Sequence, residues 1–317
     1  MEAAPPPPLA RALGDFEREF SYPLGPGRSF RIDHGDDYLR FFRAMGRAVC
    51  FVVEDEGRVL GTFAVVTRQL GFPDGSERPV VYCADLKVTA AARSSGAAYQ
   101  LCRAALEWSR GAADAGFSVV MDGTVATPDR YTGRLGLPSF APIAKIAVLR
   151  LPTADGRPEG SVAGPLDTPR HGDDAGAAGR CYRDLSRGRY CSVGGDPAER
   201  SDLAPVWFLD SGGAACGRLE DTRRGKRLLD SDGFELLSAH LSCFAFRHLD
   251  AATALLRAAA RRAGTLGYPA LFVAVTHEEA PAVQAALLPT QATVAPATVY
   301  GAGLEVGAPW HINTAEI

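Results

Sequence analysis

The chain has 317 residues, of which 46% are hydrophobic and 22% charged, and its formal net charge is −3 at neutral pH. That length allows two domains, each with a core of its own. The slightly acidic balance provides no overall basic field for nucleic acid or an anionic membrane, and no apolar run approaches the roughly 18 residues of a membrane span. We therefore expect a cytoplasmic protein that binds neither nucleic acid nor membrane.

The seven cysteines are odd in number and include no Cys-x-x-Cys pair. This usage is typical of a reducing compartment in which cysteines are small buried thiols. No spacing of cysteine and histidine matches a zinc site, so we expect no bound metal.

The first elements indicated by the sequence are a tail, a helix and a hairpin. Residues 1–27 include the proline run Pro5–Pro8, which predicts a flexible tail. Apolar residues recur at helical spacing over 38–45 and predict a helix. Two β-rich runs, 48–53 and 59–66, flank an Asp-Glu-Gly turn and predict a hairpin.

The most informative stretch is a buried strand, Tyr82–Val88, followed by a turn of small residues and a helix. The turn reads Arg-x-x-Gly-x-Ala from Arg93 to Ala98. A helix reached through such a turn presents several free N–H groups, and its dipole favours negative charge. The pattern indicates an anion site suited to pyrophosphate, with an ordinary helix start as the alternative. A single glycine does not make the Gly-x-Gly-x-x-Gly loop of dinucleotide-binding folds.

Three further elements complete a first domain. They are a strand over 117–121, a short helix over 128–135 and a last strand over 143–151. A stretch rich in Pro, Gly and Asp then predicts a linker over 153–179. We expect a first domain over 28–152 and a second over 180–317.

The second half of the chain repeats the first. Arg247–Ala252 overlays Arg93–Ala98 at an offset of 154 residues, and the apolar stripe of the following helix keeps that offset. The strand 268–273 echoes 117–121 at a similar offset. Because helix, turn and strand align together, the sequence predicts two domains of one fold.

With both halves considered, the chain resembles the GCN5-related N-acetyltransferases, or GNAT superfamily, in a tandem arrangement. The resemblance rests on the hairpin, the Asp-Leu-x-Val strand, the Arg-x-x-Gly-x-Ala turn and a late Arg-Leu-Gly-Leu element at Arg134–Leu137. It implies an α/β (α+β) fold. Each domain would be a mixed, mostly antiparallel twisted sheet with a splayed central strand flanked by helices.

The resemblance also implies an acyl-coenzyme A cofactor, with acetyl-CoA the default. Members of the family lay the pyrophosphate on the backbone of the turn and the thioester carbonyl on the backbone of the splayed strand. Carried over, the cofactor-binding residues are Leu86, Lys87 and Val88 on the strand and Arg93, Ser94, Ser95, Gly96, Ala97 and Ala98 in the turn. A Cβ atom at Gly96 would intrude on a phosphate, and Arg93 can add a charge-assisted contact.

Direct acyl transfer to an amine needs a base for the amine and, in many members of the family, a tyrosine that protonates the thiolate. Asp85, on the key strand, is the first candidate for the base, and Asp122, after the next strand, is the second; either can instead be structural. The tyrosine is expected four residues before Gly136, where Thr132 stands. Tyr131 is one position away, so it is a candidate acid whose orientation the sequence leaves open.

The second copy departs from the family's pattern. In the overlay Asp250 takes the place of Gly96, which puts a carboxylate where pyrophosphate would lie. We therefore expect a degenerate second domain that binds no coenzyme A. Its expected roles are packing, closing the substrate cleft or holding a strand at Thr298–Tyr300 against the sheet.

The sequence thus predicts an acyl-CoA-dependent N-acyltransferase acting by direct transfer. The expected acceptor is the primary amine of a small metabolite or amino-acid-like molecule, and a homodimer is compatible with the sequence. The alternative is a non-catalytic acyl-CoA-binding or structural protein that kept the GNAT fold.

Overall fold

The structure is a computed structural model that describes residues 1–23, 29–153 and 174–317. The elements of the N-terminal half are α1 (Pro7–Glu17), β1 (Tyr22–Pro23), β2 (Ser29–Asp33), α2 (Arg40–Arg43), β3 (Arg47–Asp55), β4 (Arg58–Gly71), β5 (Glu77–Val88), α3 (Ala97–Ser109), β6 (Gly116–Met121), α4 (Pro128–Tyr131) and β7 (Ala141–Pro152). Those of the C-terminal half are α5 (Asp174–Leu185), β8 (Tyr190–Ser192), β9 (Val206–Leu209), β10 (Ala215–Glu220), β11 (Arg227–Asp230), β12 (Ala239–Phe246), α6 (Leu249–Thr265), β13 (Ala270–Thr276), α7 (Ala280–Leu287), β14 (Thr293–Ala302) and β15 (Trp310–His311).

One large sheet runs through both halves. Its twelve strands follow the order β15-β8-β4-β5-β6-β14-β7-β13-β12-β10-β9, with β3 paired to β4. Within the described residues, β5 with β6, β12 with β13 and β8 with β15 are parallel pairs, and the other pairs are antiparallel. The mixed, mostly antiparallel sheet predicted from the sequence is confirmed.

The two halves exchange their late strands. β14 of the C-terminal half lies between β6 and β7, and β7 of the N-terminal half lies between β14 and β13. Thr298–Tyr300, in β14, therefore pair with both neighbours, as the sequence indicated. The consequence is a single continuous sheet in which each half completes the other.

The central strand of the N-terminal half is splayed. β5 pairs with β6 at only two positions, Val81 with Gly116 and Tyr82 with Phe117, and the strands separate beyond them. On its other edge β5 carries a bulge, where Asp85 and the residue after it have no paired residue on β4. Asp85 has a φ of 55°, which is the left-handed region. The bulge turns part of this backbone away from the ladder.

The C-terminal half repeats this irregularity. The register of β10 and β12 shifts between Cys216 and Arg218, and Cys243 on β12 has a φ of 50°. α6 then follows β12 as α3 follows β5. The repeat seen in the sequence is therefore a repeat of fold, including the bulge.

The N-terminal segment is not the flexible tail that the sequence predicts. The tail expected over residues 1–27 contains α1, whose Leu13 and Phe16 are each only 2% exposed. Pro7 and Pro8 occupy the first helical positions, where a missing N–H costs nothing and the fixed φ suits a helix. The proline run thus begins a helix that packs on the sheet.

Two predicted helices are shorter than expected. Over 38–45 only α2 is helical, although the apolar residues of this segment are buried. α4 ends at Tyr131, because Gly133, Leu135 and Gly136 all have positive φ values that interrupt a right-handed helix. The predicted linker 153–179 lies mostly outside the described residues, and α5 begins at Asp174.

Helices cover both faces of the sheet. In the N-terminal half, α3 packs on one face, with a core that includes Val65, Leu101 and Ala105. The opposite face packs against α1 and α2 through residues such as Phe16 and Phe42. α6 and α7 cover a separate core in the C-terminal half. Among the residues that the structure describes, no helix is long and apolar enough to cross a membrane.

Candidate active site

The turn between β5 and α3, predicted to be an anion site, leaves several backbone amides without an acceptor. Within the described residues, the backbone amides of Ser94, Gly96, Ala98 and Tyr99 donate to no acceptor, whereas that of Ala97 reaches the hydroxyl of Ser95 at 3.3 Å. Gly96 is the N-cap of α3, with a φ of 81°. These amides gather at the positive end of a 13-residue helix dipole.

The space in front of the turn is open. A Cβ atom added at Gly96 would meet no protein atom within 4 Å. Arg93, Ser94 and Ser95 are exposed, while Ala97 is buried under the start of α3. The free volume beside the amides therefore lies where a phosphate group would sit.

A cavity of about 970 Å³ lies beside the splayed strands. It passes through the gap between β5 and β6, so it has one lobe on the α3 face of the sheet and one on the opposite face. All three predicted catalytic residues, Asp85, Asp122 and Tyr131, line it, as do Leu86 and Lys87. Val88 and the turn residues lie outside its wall. The structure thus brings the candidate acid and bases to one cavity.

Asp85 is held in a buried charged network on the face opposite α3. The Lys87 ammonium lies 2.8 Å from one carboxylate oxygen of Asp85, and the Tyr38 hydroxyl donates a short hydrogen bond to the other. Lys87 also lies 3.7 Å from Glu17, whose carboxylate contacts His34 at 2.5 Å. The Lys87 ammonium therefore contacts both carboxylates and is the cation that they share.

The network keeps Asp85 ionised. Burial alone would raise the pKa of this carboxyl, but Lys87, His34 and the Tyr38 hydrogen bond outweigh it and lower the pKa. The pKa of Lys87 is raised, because its pairing with Asp85 outweighs its own desolvation. Asp85 is therefore a carboxylate at neutral pH, ready to accept a hydrogen bond but with reduced basicity.

Asp122 depends on strands from both halves. At the end of β6, its carboxylate accepts a 2.6 Å hydrogen bond from Thr298 on β14 and lies 3.4 Å from the Lys145 ammonium on β7. Its side chain is partly exposed to the cavity. The strand exchange thus fixes the orientation of the second candidate base.

Tyr131 lies in the α3-side lobe. It packs with Cys83, Leu137 and the inner face of α3. Burial raises the pKa of Tyr131, so its hydroxyl is protonated at neutral pH and is a weaker acid than that of an exposed tyrosine. Asp85 and Tyr131 therefore approach the gap between β5 and β6 from opposite faces of the sheet.

The opposite lobe has a lid that the sequence did not reveal. β1, β2 and β11 form a small antiparallel sheet that joins the two halves and carries Tyr22, Phe30 and Leu228 over the cavity. Further C-terminal residues on the wall include Lys226 and His240. Nothing local in the sequence connects these residues to Asp85.

Lys226 belongs to a cluster of basic residues over 223–227. In the structure Gly225 packs so tightly that a Cβ atom would lie 2.8 Å from Phe41, and Lys226 is buried. Its ammonium lies 4.3 Å above the ring of Phe41 and donates to the carbonyl of Ile317. Burial lowers the pKa of Lys226 to about 8.

The second turn differs from the first in length. β12 connects to α6 through only Arg247 and His248, whereas eight residues connect β5 to α3. His248 is the N-cap of α6, so it, and not Asp250, stands where Gly96 does. Asp250 lies in the first turn of α6. The overlay from the sequence is wrong at this point because it assumed turns of equal length.

A sheet with a splayed, bulged central strand and a helix beginning at an open turn is an acyltransferase type of fold. Residues 15–128 match the model of the acetyltransferase (GNAT) family. That match lies in the N-terminal half of the chain, and the C-terminal half repeats the fold of the N-terminal half.

Solved structures of Saccharomyces cerevisiae N-myristoyltransferase share the fold over nearly the whole chain. One, with bound myristoyl-CoA, has a TM-score of 0.61 at 12% identity and covers 98% of this chain and 83% of its own. Another, with myristoyl-CoA and inhibitors, has a TM-score of 0.60 at 11% identity, with 98% and 80% covered. At this level of sequence identity, the comparison shows a similarity of fold alone. No curated protein matches the chain.

Proposed function

We propose that the protein is an acyl-CoA-dependent N-acyltransferase. The observation that carries this proposal is that one strand, β5, leads from the cavity in the gap between β5 and β6 to the turn with the free amides at the start of α3. A cofactor with a pyrophosphate at one end and a reactive thioester at the other fits this arrangement. Acetyl-CoA is the simplest donor of this kind.

The cofactor would bind along the residues that the family resemblance indicates. Gly96, Ala97 and Ala98 and the two serines before them would hold the pyrophosphate, with Arg93 beside it. The backbone of Leu86, Lys87 and Val88 would run along the pantetheine arm. The bulge supports this placement, because it turns backbone beside the thioester away from β4.

The reaction would be a direct transfer. The acceptor amine loses a proton to a base and attacks the thioester carbonyl, so that a C–N bond forms as the C–S bond breaks. The leaving thiolate would take a proton from Tyr131, whose hydroxyl is protonated at neutral pH. Asp85 would receive the amine proton, directly or through a water, and Asp122 is the second candidate.

The acceptor would occupy the lobe under the lid. This lobe is walled by aromatic and aliphatic residues of the lid, and Lys226 is part of its wall. A cation beside a carboxylate suits an acceptor that carries both an amine and an acid group. A small amino-acid-like molecule satisfies this arrangement. The seven thiols, all free, suit a reducing compartment such as the cytoplasm.

One observation favours the alternative of an acyl-CoA-binding protein without catalysis. The pKa of Asp85 is lowered by its pairing with Lys87, and a carboxylate of low basicity takes a proton from an amine poorly. The two proposals share the cofactor site and differ only in turnover.

The test combines calorimetric titration of acetyl-CoA with a turnover assay against a panel of amines. We expect one cofactor site per chain in the wild type, and an Asp85→Asn variant that still binds cofactor but turns over at least 100-fold more slowly. Asp129→Asn, on the exposed side of α4, is the matched control and should keep full activity. Cofactor binding with no turnover of any amine would favour the alternative, and no binding would overturn both.

A further inference from the structure

The α3-side lobe of the cavity extends beyond the thioester position. Along β5 it continues from the bulge at Asp85 down to Val81, four residues of extended strand or about 13 Å. Along α3 it reaches Ala105 and Ser109, about 12 Å or more from the helix N-terminus. The pantetheine arm would end near the bulge, so this remaining space is not needed for coenzyme A itself.

The gap between the two strands closes at the lower end of this lobe. β5 and β6 come together there at Val81 and Gly116, and a Cβ atom added at Gly116 would lie 3.2 Å from the ring of Phe140 and from the carbonyl of Val81. From this point the space lies between the sheet and α3, and its wall continues to the exposed Asp114.

The walls of this pocket are mostly apolar, and several of their side chains are small. α3 contributes Cys102, Ala105 and Ser109, which lie on one face of the helix, and β5 contributes Cys83. The hydroxyl of Ser118, on β6, adds a polar group, and the exposed Asp114 is the charged residue at its outer edge. Small side chains leave room, and apolar walls favour a hydrocarbon over an amine or a phosphate.

We propose that this pocket holds the acyl chain of the donor, so that the preferred donor carries a chain longer than an acetyl group. An extended chain advances about 1.2 Å per bond, so the roughly 13 Å between the bulge and Val81 accommodate about eight to ten carbons. This inference rests on the proposed function, because it assigns the thioester to the bulge.

The first test is calorimetric titration of acetyl-, hexanoyl-, decanoyl- and palmitoyl-CoA into the wild-type protein. We expect decanoyl-CoA to bind at least about tenfold more tightly than acetyl-CoA, since each buried methylene adds affinity. Palmitoyl-CoA should gain little further, because carbons beyond Val81 approach the exposed Asp114 and leave the apolar walls. Equal affinities for all four thioesters would overturn the inference and leave the cofactor site standing. No binding of any thioester would overturn the proposed function.

The second test fills the pocket. Ala105→Phe projects a ring into it, and the ratio of decanoyl-CoA to acetyl-CoA affinity should fall to near one. Ala104→Phe makes the same change beside it on α3, at a position outside the cavity, and should keep the wild-type ratio. Ser109→Met is a smaller change that should lower this affinity ratio in part. It tests the same placement if Ala105→Phe does not fold. A ratio unchanged in Ala105→Phe would contradict the placement of the chain.

Discussion

The ammonium of Lys87 lies 2.8 Å from the carboxylate of Asp85, the residue that forms the bulge of the splayed strand. Both side chains are almost fully buried. A left-handed conformation costs a non-glycine residue roughly 1 kcal/mol or more. The ion pair and the Tyr38 hydrogen bond hold Asp85 in that conformation. The same contacts that shape the bulge therefore set the charge of the candidate base.

Breaking this pair from the lysine side should be costly. In Lys87→Met the carboxylates of Asp85 and Glu17 lose their shared cation inside the protein, and we expect a loss of about 3 to 5 kcal/mol in the free energy of unfolding. Urea denaturation followed by circular dichroism measures it. Arg103→Met, which breaks an exposed pair with Glu107, is the control and should cost less than about 1 kcal/mol. Equal losses in the two variants would show that the buried network contributes little.

Two buried histidines should make the protein sensitive to mild acid. Burial, with help from nearby cations, lowers the pKa of His240 and of His311 from 6.5 to about 3. Below pH 6.5 the unfolded chain binds protons at both positions and the folded chain does not. Stability should therefore be complete above pH 6.5 and fall as the pH drops toward 3, by up to about 2.7 kcal/mol per pH unit for the two groups.

Urea midpoints between pH 7 and pH 4 measure this dependence. His240→Gln should remove about half of the slope, and His311→Gln the other half. His277→Gln, at an exposed histidine, is the control and should leave the slope as it is. A wild-type protein of constant stability between pH 7 and pH 4 would contradict the buried neutral state of both rings.

A carboxylate introduced into the turn before α3 should leave the fold intact but prevent the pyrophosphate of the cofactor from binding. Gly96→Asp places negative charge beside the free amides, and the open space around the position means that the fold survives. We expect acetyl-CoA affinity to fall at least 100-fold, with unfolding free energy reduced by only about 1 to 2 kcal/mol. Gly267→Asp makes the same change at another left-handed glycine with open space and is the control. Cofactor affinity that survives in Gly96→Asp would place the pyrophosphate elsewhere.

Local patterns in the sequence were enough for the parts of the site that are local in the chain. Asp85 and Gly96 belong to one strand and one turn, so their placement followed from spacing. Lys226 and His240 could not be found this way, because they reach the same cavity from more than 130 residues away. The sequence overlay was wrong at Asp250 for a related reason. It used one constant offset and therefore could not account for a turn that is six residues shorter.

The exchange of strands between the two halves could not be predicted from the sequence either. Residues 28–152 carry every local signal of a complete domain, yet the neighbours of β7 are β13 and β14, both from the C-terminal half. Hydrophobic periodicity identifies a strand but does not identify its partner. The hydrogen-bonding edges of β7 would be unpaired in an isolated N-terminal half.

This arrangement predicts the behaviour of the separated halves. A fragment of residues 1–163 should fail to fold alone, because β6 lacks β14 and β7 exposes both edges. Co-expressed with residues 164–317, it should assemble into a 1:1 complex, since the exchanged strands bring large complementary surfaces together. Chromatography with light scattering and the near-ultraviolet circular dichroism spectrum report both outcomes. A cooperatively folded monomer of residues 1–163 would mean that β7 can find a partner within its own half, and the N-terminal half would then be independent of the second copy.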